Sequence, residues 1–381
     1  MADTAPRQTS PNLPEYPFIQ RFMLFTLLGF GLVFAALYSG KLIYENSQKQ
    51  ATLDRHQHLM NASRTVIHEH LVAIVKDIHQ LSLATPVRQY VNHPSLTTRQ
   101  ALQERLVQAS NIYGHYDQIR VFDLEGNEVV RVNLGDEGAY ALSEHQLQNK
   151  ASRYYIQEGL ALASEQVYLS PLDLNIESGN IEHPLKPMIR LVRQLTNSQG
   201  IPAGLLVLNY RAGAMLNQYR QQFPKEDRAM LLNSDGYWLS NHEPSNEWGW
   251  MLGRPDLRLQ QDQPELWQQL HQHRSGFTEA DSHLLSYQRL DATNFYDSIA
   301  EGRYIKGSLG LQPDIKAQTW YLLVESSTGH LDTGGLYTST AARTACLGLL
   351  LLTLTLAFML ARQGQARYAY FKLQRQQLED F

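Results

Sequence analysis

The sequence predicts an α+β protein: a long N-terminal helix, then two tandem antiparallel-sheet units, the whole flanked by two transmembrane helices. Three observations carry this. Two charge-free apolar segments, Phe22–Gly40 of 19 residues and Thr344–Ala361 of 18, bracket 303 polar and periodically patterned residues. Apolar residues at heptad spacing follow the first segment. Short β-rich runs joined by Asp/Asn-x-x-Gly turns then recur in two halves of the chain.

Residues 1–17 hold four prolines among polar residues and are expected to be a disordered tail. At about 1.5 Å rise per residue, residues 18–40 and 336–361 each supply a helix able to cross a hydrocarbon core. A cleaved signal peptide is the competing reading of the first. Its apolar run exceeds the usual ~7–15 residues, and no A-x-A site follows. Beyond the second segment, Arg362, Arg367, Lys372 and Arg375 outnumber Glu379 and Asp380. This basic excess makes residues 362–381 a cytoplasmic helical stub, and two spans then place residues 1–17 in the cytoplasm and the large loop outside it.

Leu53, Met60, Ile67, Ile74 and Leu81 recur every seven residues, with Leu71 and Ile78 four after Ile67 and Ile74. Residues 41–86 therefore read as a juxtamembrane helix ending near Pro86. The seam faces either a partner chain, as the contact of a homodimer, or the protein's own sheet. Next come three hairpins. Gln118–Phe122 and Asn127–Asn133 flank Asp123-Leu-Glu-Gly126, where Gly126 supplies a positive φ. Met188–Leu195 and Ile201–Tyr210 flank Asn197-Ser-Gln-Gly200. Arg228–Leu232 and Tyr237–Asn241 flank Asn233-Ser-Asp-Gly236. The repetition divides the loop into units 87–220 and 221–335, with the boundary in the polar stretch Gln218–Asp227. Strands of the second unit are expected over Met230–Asn241, His283–Leu290 and Trp320–Glu325.

The chain's net charge is −4, and the loop from Lys41 to Arg343 carries 27 Lys and Arg against 33 Asp and Glu. Nothing in this balance favours nucleic acid. The only cysteine, Cys346, lies in the second apolar segment, so the loop must hold together without disulfides. His68 and His70 would lie about 200° apart on a helix and cannot chelate one ion together. Neither a metal site nor a cofactor motif is read from the sequence, and no nucleophile elbow, P-loop or His-Glu-x-x-His occurs.

An anchor, a long juxtamembrane helix, two tandem β units and a return through the membrane resemble the double Cache (PDC) sensors. These are the extracytoplasmic input regions of bacterial histidine kinases, diguanylate cyclases and chemoreceptors. The likeness covers roughly residues 41–340. Within it, Tyr116–Gly126 looks like the first hairpin, Lys150–Tyr155 like the segment offering arginine and aromatics to the pocket, and Tyr168–Asn175 like the strand crossing the pocket mouth. The resemblance implies PAS-like units, membrane-distal (87–220) and membrane-proximal (221–335), with the ligand between sheet and pocket loops of the distal one. It also implies a two-pass protein of the bacterial inner (plasma) membrane, its loop in the periplasm or extracellular space.

Arg153, Tyr154, Tyr155, Tyr168, Ser170, Asp173 and Asn175 form the densest polar-aromatic cluster of the loop. A carboxylate ligand wants a guanidinium fork with aromatic walls; otherwise Arg153 simply pairs with Glu158. Arg190 and Arg193 alternate with Ile189, Leu191 and Val192, so one of the two is a candidate to face an anion. In amino-acid-binding Cache domains an aspartate near the end of the unit's last strand clamps the ammonium; Asn209 stands there in this sequence, and a neutral amide fits a carboxylate or uncharged ligand as well. Asn175–Arg190 is either a lid or a plain loop. Trp238, Trp248, Trp250 and Trp267 read as core rather than as a ligand cage.

The functional expectation is a membrane-embedded, homodimeric, non-enzymatic sensor of a small molecule, a carboxylate being one candidate, that signals to a cytoplasmic output module. Phe371, Leu378 and Phe381 hint at a coiled coil leading into such a module, a kinase or cyclase in a longer protein. A scaffold binding another exported protein and an extracytoplasmic enzyme are the alternatives.

Overall fold

The computed structural model describes residues 16–163, 166–177, 179–280, 282–291, 319–327 and 340–379. The chain forms two compact units, Met1–Thr52 with Gly329–Phe381, and Leu53–Thr328. Residues 1–15 of the expected tail 1–17, and residues 328–339 at the expected junction of the second unit with the second span, lie outside the described residues.

Helix α1 (Phe18–Ser82) runs unbroken from the first apolar segment through the heptad seam. Met60, Ile67, Leu71, Ile74, Ile78 and Leu81 are buried in the core shared with the protein's own strands. From Met60 onward the seam is thus an intramolecular contact, which settles the alternative left open by periodicity. The helix stops at Ser82, short of Pro86. That proline instead lies in the first turn of α2 (Thr85–Asn92), where a missing N–H breaks no helical hydrogen bond. Then α3 (Leu96–Tyr113) starts at a capping box between Ser95 and Thr98 and ends on Gly114 in the left-handed region. Neither α2 nor α3 was expected from the sequence.

The strands and covering helices follow as β1 (Tyr116–Phe122), β2 (Glu128–Gly135), β3 (Gly138–Ala141), α4 (Tyr154–Leu160), β4 (Val167–Leu169), β5 (Asp173–Leu174), the small pair β6 (Ile176–Glu177) and β7 (Asn180–Ile181), β8 (Pro187–Thr196), β9 (Pro202–Arg211) and α5 (Gly213–Arg220). A second set comprises β10 (Arg228–Leu232), β11 (Trp238–Ser240), α6 (Leu259–Asp262), α7 (Pro264–Gln272), β12 (Ser275–Ala280), β13 (His283–Leu290) and β14 (Trp320–Ser327). Among the described residues the first sheet is ordered β3-β2-β1-β9-β8-β4, with β5 also on β8, and the second β11-β10-β14-β13-β12. Leaving out edge strand β3 and short β5, each sheet reads 2-1-5-4-3 in its own chain order. The same antiparallel unit therefore occurs twice.

The three predicted turns share one device. Asp123, Asn197 and Asn233 each accept backbone N–H bonds from the residues two and four positions on, at 2.8–3.0 Å. A short side-chain oxygen closes the turn, and the glycine that follows takes φ of 78° at Gly126 and 82° at Gly236. The stretch Met230–Asn241 is the expected hairpin, β10 and β11 joined by the turn at Asn233–Gly236. One expectation needs correction. Asn175–Arg190 is not wholly loop: it contains β6 and β7, and Pro187–Arg190 already belong to β8, because β9 pairs with that stretch.

Helix α1 backs both sheets through one continuous core that includes Ile119, Leu208, Leu231 and Leu322. The opposite face of the first sheet is covered by α4, and that of the second by α6 and α7. Polar fasteners punctuate α1. His56, fully buried, lies 2.8 Å from Ser286 Oγ on β13 and 2.6 Å from Ser326 Oγ on β14. Ser326 donates its hydroxyl proton to Asp227, so it accepts from His56 Nε2–H, and Ser286 donates to Nδ1. Farther along, His70 pairs with Tyr210 and Gln218, and Asp77 with Tyr116 and His115.

In the other unit, α1 and the final helix, α8 (Thr340–Glu379), pack together. A Cβ on Gly29 would collide with the Thr353 methyl, and Phe18 and Phe22 meet Phe358 edge-on at 5.9 and 6.3 Å. Both helices are long and apolar enough to cross a membrane.

Candidate ligand-binding site

The site grows out of strand alternation. On β1, Gln118, Arg120 and Phe122 share one face; in register across β9 stand Asn209, Val207 and Leu205, and across β8 Arg190, Val192 and Gln194. The opposite face carries Ile119, Leu208 and Leu191 against α1. One end of the α4-covered face is therefore apolar, with Phe122, Val192, Leu205 and Val207 packed on Tyr155, Ile156 and Tyr168. The other end is charged.

Two guanidiniums dominate that end, each only 2 % exposed. Arg120 donates to Asn209 Oδ1 at 2.8 Å and to the Tyr155 hydroxyl at 3.3 Å, and lies 3.6 Å from buried Glu128. Arg190 donates to Asp173 at 2.6 Å, and more loosely to Asn175 and the Tyr154 hydroxyl, both at 3.4 Å. Its own backbone N–H is fixed by Ser170 Oγ at 2.8 Å. The Arg120 and Arg190 guanidiniums stand 5.5 and 5.4 Å from the Tyr155 ring centroid, so two cations approach one phenol. Arg131 completes a set of three buried arginines, facing Glu128 at 4.0 Å and Glu177 at 3.4 Å.

The charges act on one another. Burial pushes the Tyr155 phenol up, but the Arg120 and Arg190 cations outweigh it and hold it below the ordinary tyrosine value. Tyr154 moves the other way, raised by burial and by Asp173, so its hydroxyl stays a donor. Burial disfavours the Arg190 cation, but Asp173 more than offsets this and keeps it charged. Removing one partner of a buried pair typically costs about 3–5 kcal/mol, so this network is under strict constraint. One donor of this network is left over: among the described residues, Arg120 Nε is buried without a hydrogen-bond partner. The arrangement can present planar N–H donors to an anion, with apolar side chains beside it.

Of the residues singled out from sequence, Tyr154, Tyr155, Ser170, Asp173, Asn175, Arg190 and Asn209 come together in this network. Tyr168 lies at its apolar end, in register with Val192. Arg153 is half-buried as the N-cap residue of α4. Its side chain makes no hydrogen bond or ion pair among the described residues, with Glu158 or with anything else. Arg190 takes the inward face and Arg193 the opposite one, as alternation requires. Sequence reasoning missed Gln118, Arg120, Glu128 and Arg131. The signal was slight: in Gln118-Ile-Arg-Val-Phe122 the polar Gln118 and Arg120 stand two positions apart, opposite Ile119 and Val121.

A sequence model of the bacterial histidine kinase sensor domain matches residues 50–299. The chain belongs to that family. Curated protein sequences provide no match. Among solved structures, this sensor domain is similar to the domain of a sensory box/GGDEF family protein from Vibrio parahaemolyticus, at TM-score 0.58 and 17 % identity over 72 % of this chain and 95 % of that one. It is also similar to the extracellular domain of a histidine kinase, vpHK1S-Z8, at TM-score 0.57 and 17 % identity over 73 % and 92 %. A third relative in fold is the ligand-binding domain of the Campylobacter jejuni chemoreceptor Tlp3, in complex with L-valine, at TM-score 0.51 and 9 % identity over 76 % and 98 %. Such likeness extends to the fold. It agrees with the α+β architecture of paired sensor units read from the sequence.

Proposed function

We propose that this sensor domain detects a small carboxylate on the face built by Arg120, Tyr155, Arg190 and Asn209. Tyr154, Ser170, Asp173 and Asn175 hold that face in shape, Tyr168 closes its apolar end, and Arg153 contributes positive charge from the N-cap of α4. The observation that carries the reading is the convergence of two buried guanidiniums on one phenol with Arg120 Nε lacking an acceptor. A ligand carboxylate supplies that acceptor. An amino acid, such as the one held by the Campylobacter relative, is the next class. Its ammonium would have to settle beside Arg120, because Asn209 Oδ1 is already committed to that guanidinium. A carboxylate without an ammonium is therefore favoured.

In this reading the loop lies in the periplasm between two spans of the inner membrane, residues 87–220 form the membrane-distal unit and 221–335 the membrane-proximal one. The chain works as a homodimer whose contact uses the part of the juxtamembrane helix before Met60. Ligand shifts the equilibrium between two arrangements only by binding one of them better. The test is a thermal-shift screen of the full chain in detergent against mono- and dicarboxylates, amino acids and amines, run on wild type and Arg120→Gln. A carboxylate at ~100 times its Kd stabilises wild type by about 2.7 kcal/mol. That gain disappears in the variant if the reading is right. Equal stabilisation of both proteins refutes it.

A further inference from the structure

Between the two sheets lies a cleft of about 290 Å³ whose walls come from both. Tyr154 of α4 and Asp173 of β5 line one side; Asn233 and Asp235 of the β10–β11 turn, Trp250 of the loop after β11 and Trp320 of β14 line the other. Among its lining residues are two carboxylates and no Lys, Arg or His, the opposite of the arginine-rich face behind it. Three of its lining side chains, Tyr154, Trp250 and Trp320, are aromatic. Indole and phenol rings attract cations through their quadrupoles by about 0.5–2 kcal/mol each.

We propose that this cleft is a second binding site, for a compact organic ammonium ion. Asp235 is exposed and its carboxylate makes no hydrogen bond or ion pair among the described residues. Asp173 accepts from Arg190 through one oxygen and from Tyr154 through the other, and each oxygen keeps a lone pair to offer. The small volume selects a compact ligand: the cleft is at the lower limit of ordinary small-molecule sites of roughly 300–1,000 Å³. Both tryptophans are already held in place. Trp250 rests on Tyr237 and Trp248 at 5.4 and 5.6 Å, and Trp320 is only 4 % exposed. Occupancy would touch both sheets next to an existing tie, the hydrogen bond from Leu174 N–H to the Met251 sulfur at 3.1 Å. A cation here therefore bears on the relative arrangement of the two sheets, whatever the first sheet's arginine face binds.

The experiment uses the full chain in detergent, labelled with 5-fluorotryptophan, its ¹⁹F resonances assigned by single Trp→Phe variants. Benzylamine is the probe and benzyl alcohol its neutral counterpart. Benzylamine should move the Trp250 and Trp320 resonances, leave Trp238 and Trp267 in place, and bind more weakly as salt is raised; benzyl alcohol should shift neither pair at the same concentration. Asp235→Asn, at an exposed turn position, should weaken benzylamine about 2- to 5-fold, the range of one exposed ion pair. The proposal is overturned if benzylamine moves no tryptophan up to ~10 mM, about ten times the concentration at which a millimolar Kd half-fills the site. It is equally overturned if the shifts fall on Trp238 and Trp267, or if the alcohol binds as well as the amine.

Discussion

Acid should loosen the joint between α1 and the second sheet, and His56 sets the amount. The ring is fully buried, with both nitrogens engaged by Ser286 and Ser326, and Arg55 and Asp227 as the nearest charges. Burial lowers its pKa from 6.5 to about 4, only partly opposed by Asp227 and assisted by Arg55. The folded pKa lies below the unfolded one, so the unfolded chain takes up the proton first. The contribution of neutral His56 is then complete above about pH 6.5 and is lost progressively as pH falls toward 4. At about 1.36 kcal/mol per unit, the loss between pH 7 and pH 4 is about 3 kcal/mol. Because Asp and Glu titrate in the same window, the quantity to measure is a difference. Urea unfolding of the full chain in detergent, followed by tryptophan fluorescence, gives ΔG for wild type and for His56→Gln, whose amide can both donate and accept but does not titrate. The stability difference between wild type and His56→Gln should fall by about 3 kcal/mol from pH 7 to pH 4. A difference that stays flat, or that grows on acidification, refutes the burial argument.

Three further outcomes are expected. Gly126→Ala should destabilise by about 2–4 kcal/mol in the same assay, because a Cβ there would stand 2.7 Å from the Ala151 backbone at φ of 78°. Asn209→Asp should pair with Arg120 rather than free a clamp for ammonium, so thermal-shift titrations should show weaker carboxylate binding and no gain for amines; a gain for amines would mean that Arg120 does not reach that carboxylate. An alkaline phosphatase fused within Gln222–Lys225 should be active and one fused after Phe381 silent, as the basic residues Arg362, Arg367, Lys372 and Arg375 require. The reverse pattern would overturn the orientation.

What the sequence showed and what it hid follow from how far each interaction reaches along the chain. The turns at Asp123, Asn197 and Asn233 were legible because the side chain that closes each turn binds N–H groups within four residues. The strands β8 and β13 were legible as apolar-rich runs, Met188–Leu195 and His283–Leu290. The heptad seam gave α1 but not its partner, since Ile67 and Ile74 look the same against a sheet or a second helix. Helix α3 escaped because only Leu102, Leu106, Ala109 and Ser110 are buried in an otherwise polar segment. Arg120 escaped for a different reason. Its partners Tyr155 and Asn209 lie 35 and 89 residues away, and the strand that carries it holds no local sign of them. Arg153 attracted notice through its tyrosine neighbours, but as the N-cap of α4 it lies outside the strand register that orients Arg190.

The central claim is that a carboxylate sits on the Arg120–Tyr155–Arg190 face, and a crystal structure of the protein with the most stabilising carboxylate tests it most directly. The account predicts carboxylate oxygens within about 2.7–3.1 Å of Arg120 and Arg190 nitrogens, with the ligand's apolar part toward Phe122 and Val207. A ligand bound elsewhere, with Arg120 still hydrogen-bonded only to Asn209 and Tyr155, would contradict it.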